Sequence, residues 1–536
     1  MTQHFGEGIP IRSMIDTDRT AADLSRRGVL LGAGAFAALS ALAETMLSSP
    51  AAWAQAAEEP GQSFAENHVL KLAETLSQRA FAKPTQDLPE PFNALSAEQY
   101  RDIRFRHEAA VWRGEKLDYE LQLLAMGWLY DVPVQIWIID GDKARALKAD
   151  SSNFSIGPSI EKAPAEAPFG FSGFRVAGAL NRAGALDDFV SFQGASYFKS
   201  MGRGQQFGLA ARALAINTAR PGGEEFPFFR SFWIEKPAAG QPQIVVHALL
   251  DSESLAGAYR FAIRPGAATT IDVESHLFPR RALQHVGLAP LTSMYFHGPQ
   301  QRRFVQDYRP AVHNSEGLAV INGQGERLWR PLANPKMLQT SAFVDKNLKG
   351  FGLIQRNREF QHFEDLEARY ERRPTVWIEP VGQWGDGYVE LIEIPISEEI
   401  HDNIVAYWKP AAVLEPGKRV SFSYRMTWGG DLPAVWAGAW VGKTQVGATR
   451  AADTLQFVVD FVGPAARDAR ELPTADLFVS SGATSKLSVQ RNPDLQGIRV
   501  KFELNTSGTE LIELRLALKL GDQLISESWL YRWTPA

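Results

Sequence analysis

Apolar positions recur at helical spacing in two short stretches near the start of the mature text, 63–81 and 96–106. Ser96 is placed to cap the second, with Glu98 and Gln99 in its first turn. From about residue 111 the pattern changes to short runs of β-branched and aromatic residues broken by Gly, Pro, Asn and Asp. The runs 132–139, 243–250, 258–263, 269–277, 376–380 and 388–395 read as strands. Some are apolar on both faces: in 388–395 only Glu390 and Glu393 interrupt, and they fall on opposite faces. So long a series of short strands, with no helical pattern between them, predicts an all-β chain with few short helices. Its larger part is expected to be a β-sandwich.

A Pro/Ala/Gly-rich segment, 409–419, reads as a linker. Beyond it the runs 420–428, 455–462, 486–490, 497–504, 511–519 and 527–533 make six or seven strands, the size of an immunoglobulin-like sandwich. The expected division is a large β-sandwich over 63–408 and an immunoglobulin-like domain over 419–536. With 536 residues, more than one core is expected.

The first residues read as an address. Ser25-Arg26-Arg27-Gly28-Val29-Leu30 is a twin-arginine signature, followed by a weakly apolar run and by Ala52-Trp53-Ala54, a small-residue cleavage site. Residues 1–54 are therefore expected to be a twin-arginine signal peptide, and the mature chain to be periplasmic. A membrane anchor is disfavoured because the run is Ala/Gly-rich and contains Glu44.

Composition narrows the chemistry. Lys and Arg number 56 against 61 acidic residues, so no basic excess is available to neutralise phosphates, and nucleic acid is excluded as a partner. The absence of Cys excludes disulfides, thiolate nucleophiles and cysteine-ligated metals. No phosphate-binding loop, dinucleotide fingerprint, nucleophile elbow or H-E-x-x-H helix occurs, and the ten His are scattered singly, so neither a cofactor nor a metal is expected. The 14 Trp fit sugar stacking and bulky sandwich cores equally well.

Carboxylate chemistry remains. Cleaving a glycosidic bond needs one carboxylic acid to protonate the leaving oxygen and a base to activate the attacking one. Asp402, in His401-Asp402-Asn403, lies between two apolar strands; His313-Asn314-Ser315-Glu316 and Asp251-Ser252-Glu253 are two more polar clusters at strand ends. From spacing alone, a solvated turn is the stronger reading of each.

An extended set of runs adds to this. It includes Phe169-Gly170-Phe171-Ser172-Gly173-Phe174, Ser191-Phe192-Gln193-Gly194, Arg373-Pro374-Thr375-Val376-Trp377-Ile378-Glu379-Pro380, Asp402-Asn403-Ile404-Val405 and Ser528-Trp529-Leu530-Tyr531. Together they resemble the family of periplasmic glucan biosynthesis proteins of types G and D, which act on osmoregulated periplasmic glucans. The twin-arginine signal favours type D. The resemblance implies the two β domains already drawn and activity on β-1,2-glucan by an anomer-inverting mechanism, as endo-hydrolysis or transglycosylation. It puts the general acid at Asp402 and a relay hydroxyl at Tyr370. It draws His313, Asp251, Trp377, Glu379 and Trp408 into substrate binding. It also implies a functional link to a membrane glucan synthase, and homodimers occur among type D relatives.

The chain departs from the family at the base. Where the family reads H-D-S-D, this sequence reads His313-Asn314-Ser315-Glu316. Asn314 cannot take a proton, which leaves Glu316 as the nearest replacement base or leaves water poorly activated. Weak water attack favours a positioned sugar hydroxyl, hence transglycosylation or cyclisation. The same departure keeps open a non-catalytic scaffold that binds glucan beside the synthase. Hydrolytic relatives also carry a longer Trp-containing loop where this chain offers Trp436, Trp440 and the polar run 442–453.

Overall fold

Helical spacing near the start forms helices in part; within the second stretch Ile103–Phe105 is instead a strand paired with Phe154–Ile156. In the computed structural model, which describes residues 61–535 apart from 150, 161–169, 183, 302–305 and 431–437, the first helix is His68–Ser77. It turns Val69, Ala73 and Leu76 inward, against the strands Ile244–Asp251 and Leu255–Arg264. The second, Ala97–Arg101, opens with a capping box: Ser96 Oγ accepts from Gln99 N at 3.2 Å and Gln99 Oε1 accepts from Ser96 N at 2.9 Å. The export signal read in 1–54 lies outside the described residues.

The alternating runs form two large, mainly antiparallel sheets. One carries, in spatial order, Gln135–Asp140, Phe228–Glu235, Ile244–Asp251, Leu255–Arg264, Thr269–Pro279, Val420–Gly429, Thr375–Val381, Gly350–Ile354 and Gly317–Ile321. The other carries Gln339–Lys346, Asp386–Glu393, Ile404–Pro410, Val286–Ser293, Ala210–Arg212, Tyr197–Ser200, Asp187–Gln193, Phe171–Gly178 and Tyr119–Ala125. The core between them is aromatic: Phe192 lies 5.3 Å from both Phe198 and Phe261, and Phe174 lies 5.0 Å from Phe232. The all-β sandwich expected from the sequence is what the chain forms.

The domain boundary is different from the one expected. Val420–Gly429 pairs with Thr269–Pro279 on one side and with Thr375–Val381 on the other, so it is a central strand of the large sheet. The division therefore falls after Gly429, not between 408 and 419. The supposed linker is a surface connection held by Leu283 and Leu414, which exchange backbone hydrogen bonds of 2.9 and 3.0 Å. A Pro/Gly-rich connection within a sandwich and one between sandwiches have the same composition.

The C-terminal part packs the sheet of Trp440–Ala448, Thr454–Val462, Gly497–Asn505 and Ala483–Asn492 against Thr474–Val479, Ile512–Leu520 and Ser528–Trp533. Phe457, Phe502 and Trp529 fill the space between. Trp440–Ala448 and Thr474–Val479 were not among the expected strands, because most of their side chains are polar or half-exposed. The two parts are continuous: Ser528–Trp533 pairs in parallel with Arg327–Pro331, extending the large sheet. Beside this junction Arg356 stacks 3.5 Å from the Trp329 ring centre and pairs with the buried Glu527 at 2.7 Å.

Candidate functional site

Asp402 stands in the loop between Asp386–Glu393 and Ile404–Pro410, and the residue after it fixes that loop. Asn403 is fully buried. Its Oδ1 accepts from Tyr295 N at 2.8 Å, and its Nδ2 donates to Tyr295 O and Ile394 O at 3.0 Å each. Its own N–H donates to Ser293 O, and its carbonyl accepts from Ile394 N. Every polar group of Asn403 is used, which is what full burial requires.

Asp402 itself is partly buried. Burial pushes its carboxyl above the usual aspartate range, against the pull of Lys199, Arg212, Arg373 and His401. A carboxyl shifted upward among cations is suited to donate a proton to a leaving oxygen.

The cations are set by their strands. Arg212 ends Ala210–Arg212, and its Nε donates to Thr292 Oγ1 at 3.2 Å; Thr292 pairs in register with Val405. Its Nη1 meets Glu224 at 2.5 Å and its guanidinium lies 5.3 Å from the Tyr197 ring centre. Burial pushes the Tyr197 hydroxyl up to about 12, so it remains a neutral donor. Arg373 is buried, donates to Phe207 O and lies 5.7 Å from the Tyr370 ring centre.

The structure brings several of the expected residues to this place. Asn314 donates its backbone N–H to Met294 O at 2.8 Å, next to the Ser293 carbonyl that holds Asn403. His313 is fully buried; its Nδ1 bonds Gln355 Oε1 at 2.9 Å, and Gln355 Nε2 donates to His313 O and Tyr370 O. Gln355 thus ties Tyr370 to the strand end that carries Asn314. Burial pulls the His313 imidazole well below its ordinary value, with His362 adding to the effect, so it is a neutral support rather than a surface for substrate.

Four further expectations are corrected, and Glu379 is found in a ladder of the sheet. Trp408 is fully buried and Trp377 nearly so, with the backbone of Gly387 against the first and of Gly350 and Gly352 against the second. Neither ring has a face free for a sugar. Asp251 is buried between Arg230 at 2.6 Å and Arg280 at 2.8 Å, an internal ion pair. Glu379 pairs in register with Arg425, whose guanidinium is held by Asp272, so it belongs to a charged ladder across the sheet. Glu316 accepts from Asn357 N at 3.3 Å and from Asn357 Nδ2 at 3.1 Å on both oxygens. Burial raises its carboxyl, and its leading charged neighbour is Arg356 rather than a cation around Asp402. Glu316 is therefore a tethered side chain facing the domain junction.

Arg212, Lys199 and Arg373 escaped the sequence reading. One signal was available: Arg212 is a lone charge within Leu209-Ala210-Ala211-Arg212-Ala213-Leu214, and a charge on a buried strand must find a partner. Arg373 opens the R-P-x-x-W run and was passed over for its Trp and Glu.

Fold and site together define a class: a two-part β-sandwich protein whose larger part holds an upward-shifted carboxyl, Asp402, among cations at a strand end. Comparison with known proteins supplies the family. The family model described as periplasmic glucan biosynthesis protein, MdoG, matches residues 64–533, and the chain belongs to this family. Glucans biosynthesis protein G of Shewanella frigidimarina is 46% identical over 475 residues, covering 88% of this chain and 85% of the relative. The protein of the same name from Vibrio cholerae serotype O1 is 46% identical, covering 88% and 87%. That from Shewanella sp. strain MR-4 is 45% identical over 502 residues, covering 92% of each. These relatives carry the type G name, where the sequence reading expected type D. Membership places the chain in periplasmic glucan biosynthesis. No helix among the described residues is long and apolar enough to cross a membrane.

Proposed function

We propose that this protein, exported by the twin-arginine route, rearranges β-1,2-glucan in the periplasm by inverting transglycosylation or cyclisation. The observation that carries the reading is Asp402: an upward-shifted carboxyl, held by Asn403 at the strand end. Asp402 protonates the glycosidic oxygen as its bond to the anomeric carbon breaks. A sugar hydroxyl attacks that carbon from the opposite face and releases its proton to solvent, and a solvent proton restores Asp402. Transfer is favoured over hydrolysis because Asn314 is no base and Glu316 is tethered by Asn357. Orientation then decides, and effective molarities of about 10⁵ M or more let a bound hydroxyl outcompete unactivated water.

The test is prolonged incubation of purified protein with linear β-1,2-glucan. Cyclic or longer products are expected, and Asp402→Asn should abolish them. Short linear oligosaccharides alone would overturn transfer in favour of hydrolysis. An unchanged size distribution would instead support a glucan-binding scaffold beside the membrane synthase.

A further inference from the structure

The strand Gly350–Ile354 runs out into four residues, Gln355 to Arg358, each of which fastens a different piece of the fold. Gln355 holds the carbonyls of His313 and Tyr370, Arg356 reaches Glu527 and Val441 O in the C-terminal part, and Asn357 takes Glu316. Arg358, partly buried, gathers the most. Its Nη1 donates to the carbonyl of Arg373 and, at 3.3 Å, to that of Glu371. Its Nη2 donates to Thr375 Oγ1 at 3.1 Å and to Gly430 O at 2.8 Å. Glu371 and Arg373 lie outside any strand, and the planar guanidinium fork gives their carbonyls bonds of fixed direction in place of a ladder.

The held segment carries Arg373, and its other side is fixed as well. Gln206 N donates to Arg372 O at 3.1 Å and the Arg373 guanidinium donates to Phe207 O, so the segment is clamped between Gln206-Phe207 and Arg358. Tyr370, Asp365, Glu371 and Asp402 are the titratable groups whose charge reaches Arg373. Asp402 in turn faces Lys199, Arg212, Arg373 and His401, with the Tyr197 hydroxyl nearby. Arg212 is already paired with Glu224 at 2.5 Å, whereas among the described residues Arg373 forms no ion pair. Its charge therefore acts at longer range, where its pull depends on where the backbone puts it.

We propose that Arg358 is a positioning residue for Asp402: through the carbonyls of Glu371 and Arg373 it fixes where the Arg373 guanidinium stands relative to that carboxyl. For its effect on catalysis the inference rests on the reading of Asp402 as the acid. The same fork holds Gly430 O, just past the central strand Val420–Gly429, so the acid's cation and the domain division share one anchor. Loosening Arg373 weakens the pull that opposes burial, and the Asp402 carboxyl then rises further.

Arg358→Lys tests this in the full-length mature protein, because an ammonium keeps the charge but cannot span four acceptors. The first readout is the pH profile of β-1,2-glucan processing. Its alkaline limb should move up by about 0.5–1 pH unit, a fraction of what a full charge at close range exerts. The second readout needs no turnover: the neutral-pH gap in thermal midpoint between Asp402→Asn and its parent should widen in the Arg358→Lys background. Arg373→Met should produce both effects by itself, and adding Arg358→Lys to it should move neither further. A full additional shift in that double variant would overturn the proposal, since Arg358 would then act independently of Arg373. An unmoved limb and an unmoved gap, whatever the change in overall stability, would overturn it too. A widened gap in a protein that processes no glucan would keep the positioning role and overturn Asp402 as acid. Thr375→Val removes one of the four acceptors and serves where Arg358→Lys does not fold; the same shifts, smaller, are expected, and their absence is equally decisive.

Discussion

The amide of Asn403 and the backbone of Tyr295 are matched donor to acceptor on both edges, at 2.8 and 3.0 Å, with both residues buried. The pairing joins the segment after Val286–Ser293 to the start of Ile404–Pro410, and so decides where Asp402 stands.

Asn403→Ala leaves the Tyr295 N–H and the carbonyls of Tyr295 and Ile394 without these partners. We expect a loss of about 2–4 kcal/mol in urea unfolding, the scale of two or more buried groups left unsatisfied. Asn403→Asp should be worse, because it turns an acceptor toward two carbonyl oxygens. A loss below about 0.5 kcal/mol, the range of an ordinary surface change, would show that the clamp does not fix the loop.

Asp402 carries a pH signature whose sign follows from its upward shift. Below the ordinary aspartate value of 3.8 the carboxyl is protonated in folded and unfolded chains alike and contributes no difference. As pH rises past that value the unfolded chain releases its proton first, so the folded state loses relative stability. Asp402→Asn should therefore melt higher than the parent at neutral pH, with the gap closing on acidification. Any glucan-processing activity should fall as pH rises through the raised value. A variant that melts lower at neutral pH would contradict the burial assigned to this carboxyl.

Arg309 pairs with Asp307 at 2.8 Å, Asp365 at 2.9 Å and Glu399 at 2.6 Å, and this junction has the opposite sign. Its hydrogen bonds hold Asp307 well below the usual carboxylate range, and backbone N–H groups with Arg309 also hold Asp365 down against burial. That stability is present above 3.8 and is lost as pH falls below it. Arg309→Met should cost about 3–5 kcal/mol near neutral pH, since partly buried carboxylates are left uncompensated. The difference from the parent should shrink in acid, as chemical denaturation at pH 7 and pH 3 will show.

Trp408→Ala should behave as a core deletion. With the ring wholly enclosed, about 3–5 kcal/mol of stability is expected to go, while the protein that stays folded keeps its glucan affinity. A variant with parent-like stability and lost binding would restore Trp408 as a sugar contact.

Asn314→Asp tests the reading of the missing base. Placing a carboxylate at this strand end should move the products of β-1,2-glucan toward short linear oligosaccharides, as water becomes the better nucleophile. Chromatography of the products against the parent decides it; an unchanged pattern would show that position 314 does not control the attacking group.

The apolar runs marked many of the strands without help from the fold, because a strand's side chains face opposite sides of a sheet, whereas polar strands such as Trp440–Ala448 and Thr474–Val479 carry no such run. The cap at Ser96 and the polar loop at Asp402 were also legible, because cap and turn residues act through their immediate chain neighbours. Sheet order was not: Val420–Gly429 lies between strands that begin at residues 269 and 375, a choice made by which faces bury one another. The role of each aromatic was equally hidden, since Trp377 and Trp408 read as sugar platforms until the sheets closed over them. The charge ring at Asp402 combines Lys199, Arg212 and Arg373, separated by up to 174 positions in the chain. Sequence alone determined that this chain would be a β-sandwich carrying an acidic loop between two strands. Only the tertiary structure decided which carboxyls would be shifted upward and which of them would stand among Lys199, Arg212 and Arg373, because desolvation and long-range charge depend on distances that no local pattern encodes.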